Sequence, residues 1–189
     1  MKAGFDYQLG SAYTPPGAEA EWGDLVLRDA NDEPVVDEEW HEALLDVRTA
    51  DKRERVAAKV GAWVDDCAAR GFQEVEPDNC DSYTRSQRPP LRRRRPSLRA
   101  PAVIGQKNTS ELAGRRRENG LDFAVAEECG EQENCDEYTA AFGDHVVVIE
   151  YTDEGLATAC TRWGGSLSIV RRDRDVVPEG AAGYVRKTC

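Results

Sequence analysis

Short apolar stretches alternate along the chain with longer segments in which apolar residues recur every three or four positions. The longest periodic segment covers residues 49–71 and predicts a helix, because its apolar residues fall on one face. The residues of this face are Val56, Val60, Trp63, Val64 and Cys67. Thr49 suits the N-cap of this helix, and Gly71 suits the position after its last turn.

The rest of the pattern predicts an α/β fold. Further helical patterns run from Ser110 to near Gly120, over 136–142 and over 153–163. Strand patterns occupy FDYQL near the start, ALLDV (43–47), FQEVEPDN (72–79), AVIGQKN (102–108), DFAVAEE (122–128), HVVVIEY (145–151) and SLSIVRRD (166–173). Apolar strands joined by helices indicate a parallel sheet covered by helices. The strand count favours a (β/α)8 barrel, with DLVLRDA (24–30) as an eighth strand or a hairpin arm, over a doubly wound open sheet.

Charge is distributed unevenly along the chain. The 189 residues, which we expect to form one domain over 1–189, carry 25 Lys and Arg against 36 Asp and Glu, a net charge of −11. Seven arginines and no acid fall within residues 85–99, so the remainder is more acidic than the total indicates. An acidic body repels nucleic acid and attracts cationic partners such as amino sugars.

An irregular Arg/Pro-rich segment covers residues 86–102, where a helix should join two predicted strands. Its four prolines, Pro89, Pro90, Pro96 and Pro101, exclude a continuous helix. It is interpreted either as a docking arm for nucleic acid or another anionic surface, or as a shifted reading frame that replaces the helix. The second interpretation is favoured because patterned sequence resumes on both sides and no aromatics interleave the arginines.

The six cysteines indicate an oxidising compartment. Six cysteines allow fifteen pairings, so the sequence alone does not fix their connectivity. Two pairs are candidates: Cys129 and Cys135 are close enough to close a small loop, and a bond between Cys160 and Cys189 would tie down the chain end. Cys67 and Cys80 are left over. His41 and His145 stand alone, so neither a zinc site nor any other cofactor is expected. No apolar run reaches membrane-spanning length, and the opening MKAGFDYQLG lacks the apolar core of a signal peptide.

Polar residues gather at the C-terminal ends of the predicted strands. They are Asp46, Glu76, Asp78, Lys107, Asn108, Glu127, Glu128, Glu150, Tyr151 and Asp173. In a parallel barrel these ends form one rim, and active sites lie there. The stretch around Pro77 adds a third carboxylate, Asp81, and crowded carboxylates shift one another's pKa. The pattern therefore predicts a functional rim rather than solvated loops.

Several long strings resemble glycoside hydrolase family 114, the endo-α-1,4-polygalactosaminidases. They are FDYQLG, LLDV, GFQEVEPDNCDSYTR, IGQKNTSEL, FAVAEECGEQENCDEY and VIEYT. The resemblance implies a TIM-barrel-like fold and hydrolysis of α-1,4-linked galactosamine polymers by secreted proteins. Between AYTPPG and AEWGDLVLRDA, however, the family's second strand is missing, and the crossover helix at 86–102 is replaced. The barrel is therefore expected to be incomplete, with one strand and one helix missing or altered.

The resemblance implies two catalytic carboxylates, Asp78 in the PDN motif and Glu127 before the cysteine-bearing loop. Glycosidic bonds are usually cut by such a pair, one carboxyl donating a proton and the other attacking the sugar or activating water. Strand alternation places Phe123, Val125 and Glu127 on one face, and the bulky face is expected under the helices. That expectation favours Glu128, whereas the motif match favours Glu127. Because a bulge or turn at the strand end can reverse the alternation, Glu127 is kept as the second catalytic carboxylate and Glu128 as a supporting site.

The other rim residues are expected to bind substrate. Asp6 and Gln8 would hydrogen-bond hydroxyls, and Tyr7 or Tyr151 would stack on a sugar face. Glu76, Asp81 and Glu150 would pair with ammonium groups. Lys107 and Asn108 would orient a carboxylate.

Two alternatives to a monomeric enzyme acting on a cationic amino-sugar polysaccharide remain. One is a carbohydrate-binding relic of the family that has lost catalysis. The other is a hydrolase that uses the acidic cluster with Mg²⁺ or Ca²⁺.

Overall fold

Residues 11–12, 17–37, 42–78 and 103–189 are described by a computed structural model. The predicted strand FDYQL and the Arg/Pro-rich segment 86–102 lie outside these residues. By internal contacts the chain divides into two units, Met1–Val103 and Ile104–Cys189. The expectation of one domain over the whole length stays a prediction.

The first unit is built around one long helix. Strand β1, Ser11–Ala12, pairs antiparallel with β2, Ala43–Leu44. Helix α1, Gly17–Trp22, leads into a 3-10 turn at Gly23–Leu25. Helix α2, Ala50–Ala69, is followed by the short strand β3, Glu74–Val75.

The predicted ends and apolar face of α2 are confirmed. The Thr49 hydroxyl accepts a hydrogen bond from the Lys52 N–H at 3.2 Å, which satisfies one donor of the first turn. Gly71 has φ 87°, the left-handed conformation that glycine adopts without steric cost. Three residues of the predicted face, Val56, Val60 and Trp63, pack against a cluster formed by Trp22, Leu25, Val26, Ala43 and Leu45. The indole rings of Trp22 and Trp63 meet edge to face, 5.5 Å apart.

Residues 24–30 form the predicted hairpin arm rather than an eighth strand. Arg28 forms an isolated antiparallel bridge with Pro34, and Val26 forms one with Leu45. Asp29 closes the turn between the arms, because its carboxylate accepts the N–H groups of Asn31 (2.8 Å) and Glu33 (3.0 Å).

The second unit contains the predicted parallel sheet. Its strands are β4 Val103–Lys107, β5 Phe123–Glu127, β6 Val146–Glu150 and β7 Ser168–Arg172, paired in that order and all parallel. The helices between them are α3 Ser110–Ala113, α4 Arg116–Asn119, α5 Cys135–Phe142 and α6 Asp153–Trp163. Within the described ranges the sheet does not close on itself.

One strand in the described part of this sheet was not predicted. Strand β8, Arg186–Thr188, runs antiparallel to β7 at the edge of the sheet. All three of its residues are exposed, so the sequence offers no apolar alternation there.

The expectation that the bulky face of β5 lies under the helices is wrong. Ala124 and Ala126 are fully buried, and they belong to the core that includes Tyr138 and Phe142 of α5. Ala159 and Trp163 of α6 and Val146 and Val148 of β6 complete much of this core. The small side chains let the helices approach the sheet closely, so the bulky residues take the opposite face.

Glu127 therefore lies on the face of the sheet opposite the helices, with Phe123 and Val125. These three side chains are half-buried. On the same face, a Cβ at Gly105 would stand 2.5 Å from the Phe123 ring, so this strand position has room for glycine only.

Both predicted disulfides are confirmed. Cys129 is bonded to Cys135, and Cys160 of α6 is bonded to Cys189 after β8. Among the described cysteines, Cys67 is free and buried, while Cys80 lies outside the described residues. No helix in the described part of the chain is both long and apolar enough to cross a membrane.

Candidate active site

The carboxylate of Glu127, at the end of β5, is held by residues from the two neighbouring strand ends. Asn108 follows β4 and clamps Glu127 twice. Its Nδ2 donates to Glu127 Oε2 at 2.9 Å, and its Oδ1 accepts the Glu127 backbone N–H at 2.8 Å. Asn108 adopts φ 46°, a left-handed conformation that asparagine tolerates better than most residues.

Two further groups contact the same carboxylate. The Tyr151 hydroxyl, directly after β6, donates a short hydrogen bond to Glu127 Oε1. Lys107 Nζ lies 3.3 Å from Glu127 Oε2. The expectation that Lys107 and Asn108 orient a carboxylate thus corresponds to contacts that both residues make.

These contacts determine the charge of Glu127. Burial raises the pKa of its carboxyl, but the hydrogen bonds from Tyr151 and Asn108 and the charge of Lys107 outweigh it, so the net pKa lies below the usual value. Glu127 is therefore ionised at neutral pH. Burial first, and then the bond to Glu127, raise the pKa of Tyr151, so the phenol stays a hydrogen-bond donor at neutral pH.

The carboxylate of Glu128 has a different partner from that of Glu127. The residue has φ 58°, and its carboxylate forms a close ion pair with Arg174. The Arg174 guanidinium lies 4.9 Å from the centre of the Tyr151 ring. Arg174 was not predicted as a site residue, although it stands two residues past the end of β7, where rim residues are expected.

Glu150 is enclosed on the helix side of the sheet. Its side chain is fully buried, and Oε1 accepts the Gly130 N–H at 2.7 Å. Oε2 has no hydrogen-bond partner among the described residues, and a Cβ at Gly155 would stand 2.3 Å from it. Burial raises the pKa of Glu150 and outweighs the opposing backbone hydrogen bonds from Gly130 and Glu131. Its predicted contact with a sugar ammonium stays a prediction.

The remaining predicted residues are placed as follows. In the first unit, Glu76 and Asp78 follow β3 and are half-buried. Asp6, Tyr7, Gln8 and Asp81 lie outside the described residues.

Two other rim acids have structural partners. Asp46 is buried, and its carboxylate binds Arg48 at 2.7 Å and Lys52 at 2.8 Å, which hold its pKa far below the usual value. Asp173 accepts the N–H groups of Val177 (2.7 Å) and Val185 (3.1 Å), and so closes the loop before β8. Within the described residues, no group of three or more His, Cys, Asp or Glu is arranged to hold a metal ion.

Comparison with known proteins identifies the family. The model of glycoside-hydrolase family GH114 matches residues 17–189. The chain belongs to this family. As a GH114 member it is a glycoside hydrolase. Its α/β architecture is the TIM-barrel-like fold that the sequence predicted, and the sheet formed by the described residues is not closed, as expected for an incomplete barrel.

A solved structure supports the fold of this GH114 chain. Aspergillus fumigatus Ega3, determined in complex with galactosamine, is 18% identical and superposes with a TM-score of 0.62. The alignment covers 97% of this chain and 76% of the Ega3 chain. At this level of identity the similarity establishes the fold alone. No curated protein matches the chain significantly.

Proposed function

We propose that this GH114 protein hydrolyses α-1,4-linked galactosamine polymers with two carboxyl groups, Glu127 and Asp78. The observation that carries the proposal is the carboxylate of Glu127, held by Tyr151, Asn108 and Lys107 on the face of the sheet away from the helices. Three convergent contacts on one half-buried carboxylate are more than a solvated loop residue requires.

The contacts suit a carboxyl that takes part in glycosidic cleavage. Such a group must be held in a defined position beside the scissile bond, and the pKa values of the two carboxyls must differ. The lowered pKa of Glu127 suits the carboxyl that acts in its ionised form. Asp78, which the PDN motif suggests as the second carboxyl, follows β3.

A cationic amino sugar is the substrate class that the charge of the chain favours. The net charge is −11, and without the arginine-rich stretch at 85–99 the rest of the chain is even more acidic. The family relative Ega3 was solved with galactosamine. Glu128 and Tyr151 would contact the sugar beside Glu127. Asp6, Tyr7, Gln8, Glu76 and Asp81 stay proposed substrate contacts, and secretion is proposed because the two disulfides fit an oxidising compartment.

The test is incubation of the full chain with polygalactosamine, followed by measurement of new reducing ends. Glu127→Gln and Asp78→Asn should each abolish their appearance, whereas Glu179→Gln, at an exposed loop position, should leave the rate unchanged. Full activity in both carboxyl variants would refute the site assignment.

The same assay separates the alternatives. Measurable binding to polygalactosamine without new reducing ends would identify a carbohydrate-binding relic instead. Activity that persists in the presence of a chelator would eliminate the hydrolase that uses Mg²⁺ or Ca²⁺.

A further inference from the structure

Arg174 places a cation against two neighbours of the proposed catalytic carboxylate, Glu128 and Tyr151. It stands two residues after β7, and its guanidinium touches the carboxylate of Glu128 and the ring of Tyr151, 4.9 Å from the ring centre. The same tyrosine donates its hydroxyl to Glu127. Tyr151 therefore contacts both this cation and Glu127.

The surroundings of the guanidinium form a small cation site. A carboxylate provides the opposite charge, and the face of an aromatic ring attracts cations through its quadrupole. A protonated amine on a sugar offers the same charge to the same two groups, and the sugar ring can also lie against an aromatic face. The site is thus complementary to an amino sugar, although a side chain of the protein occupies it.

Arg174 is held loosely compared with the other cation of the site. Its side chain is 68% exposed, whereas that of Lys107, which contacts Glu127 directly, is 14% exposed. Ion pairs of exposed side chains contribute little, because water screens them and long side chains lose freedom. A cationic ligand can therefore displace Arg174 at small cost, while Lys107 stays in place.

We propose that Arg174 occupies, in the free protein, the subsite for the ammonium group of an amino sugar, and that the sugar displaces it on binding. This inference rests on the proposed function and adds a specificity residue to it. A charged galactosamine replaces the lost ion pair with Glu128. A neutral N-acetylated sugar cannot form this ion pair. It would leave Glu128 without a cation and would therefore bind less well. Arg174 is then an internal competitor that favours cationic over neutral sugars.

The matched control is Arg162 of α6. It has the same kinds of contact, namely ion pairs with Glu133 (2.9 Å) and Asp136 (3.4 Å) and a ring, that of Trp163, 4.4 Å from its guanidinium. Arg174→Gln and Arg162→Gln change the net charge equally, so a difference between them reports the subsite and not the overall charge.

The experiment is calorimetric titration of the full chain and both variants with galactosamine and with N-acetylgalactosamine. Arg174→Gln should bind galactosamine about three- to tenfold more tightly than the wild type, with N-acetylgalactosamine nearly unchanged. Arg162→Gln should match the wild type. Equal galactosamine affinity in all three proteins, weaker binding by Arg174→Gln, or no binding by any of them would overturn the inference.

A second measurement needs no substitution. In wild-type protein, galactosamine should shift the side-chain Nε–H resonance of Arg174 towards that of a solvated arginine, while the Arg162 resonance stays in place. An Arg174 resonance that does not move when galactosamine binds contradicts displacement.

Failure of the proposed hydrolase activity and failure of the proposed subsite give different results in these experiments. Tighter galactosamine binding by Arg174→Gln without any cleavage of polygalactosamine would reject the enzyme and retain the subsite. Cleavage together with unchanged affinity in Arg174→Gln would retain the enzyme and reject the subsite.

Discussion

The phenol of Tyr151, directly after β6, donates a hydrogen bond to Oε1 of Glu127 on the neighbouring strand β5. This contact opposes the effect of burial on Glu127 and contributes to its lowered pKa. The bond links two strand ends through the carboxylate that we propose to be catalytic.

Replacing Tyr151 with phenylalanine should raise the pKa of Glu127, because the carboxylate loses a donor that favours its charged form. The limb of the kcat/KM profile against pH that Glu127 controls should therefore move to higher pH. We expect kcat/KM to fall about tenfold, the cost of losing a hydrogen bond to a charged group. Tyr184→Phe, at a ring that lies 5.3 Å from the Arg172 guanidinium, should leave both limbs in place. A Tyr151→Phe profile identical to the wild type would contradict the role of this bond.

Replacing Asn108 with aspartate should reduce activity more than it reduces stability. Aspartate keeps an oxygen for the Glu127 N–H and tolerates the left-handed backbone, but it loses the donor to Oε2 and puts a second negative charge beside Glu127. The repulsion should cut kcat/KM by about 100-fold, while Tm falls by only a few degrees. Kinetics and thermal unfolding on the same sample test this, with Asn119→Asp at the end of α4 as the control. A loss of Tm proportionate to the loss of activity would indicate a merely structural residue.

Replacing Glu150 with glutamine should stabilise the protein increasingly as pH rises. The pKa of Glu150 is raised in the folded state, so the folded protein binds more protons than the unfolded chain above about pH 4.3, the ordinary glutamate pKa. The wild type therefore loses stability from there up through the folded pKa, while glutamine does not titrate and keeps the acceptor for the Gly130 N–H.

Urea unfolding at pH 5 and pH 8 measures the effect of Glu150→Gln. The difference in unfolding free energy between variant and wild type should be larger at pH 8. Glu179→Gln serves as the exposed control and should show no such dependence. Parallel behaviour of Glu150→Gln and wild type at the two pH values would mean that the carboxyl is not perturbed.

Removing either disulfide should lower the free energy of unfolding, but by different amounts. Cys160 and Cys189 are 29 residues apart and Cys129 and Cys135 only 6, so loop-closure entropy predicts losses of about 3.5 and about 2 kcal/mol. Removing the Cys129–Cys135 bond should reduce activity more than removing the Cys160–Cys189 bond, because Cys129 comes two residues after Glu127. Paired serine variants, compared by urea unfolding and by release of reducing ends, measure both orders. A larger activity loss on removing the Cys160–Cys189 bond would contradict the expected order of activities.

Much of the local structure was predictable from short-range patterns. Helix α2 begins after Thr49 and ends before Gly71 as predicted, because capping depends on residues adjacent to the helix end. Helix α6 has the predicted bounds, 153–163. The pairings of Cys129 with Cys135 and of Cys160 with Cys189 also match the expectation drawn from their positions along the chain.

The face of β5 that carries Glu127 was not predictable in the same way. The sequence showed that Phe123, Val125 and Glu127 share a face, but a parallel strand is buried on both sides and its pattern does not say which side faces helices. The packing of α5 and α6 against Ala124 and Ala126 decided this. Strand β8 was missed for a related reason, since its exposed residues owe their conformation to pairing with β7.

The sequence by itself determined most of the helices and strands, the alternation of helices with parallel strands, and the family, because each depends on neighbouring residues or on strings that a family shares. Only the tertiary structure decided that Tyr151, Asn108 and Lys107 converge on Glu127 and that Arg174 lies between Glu128 and the ring of Tyr151. Those contacts join residues that are up to 46 positions apart. They exist because parallel pairing brings the carboxyl ends of successive strands to one edge of the sheet.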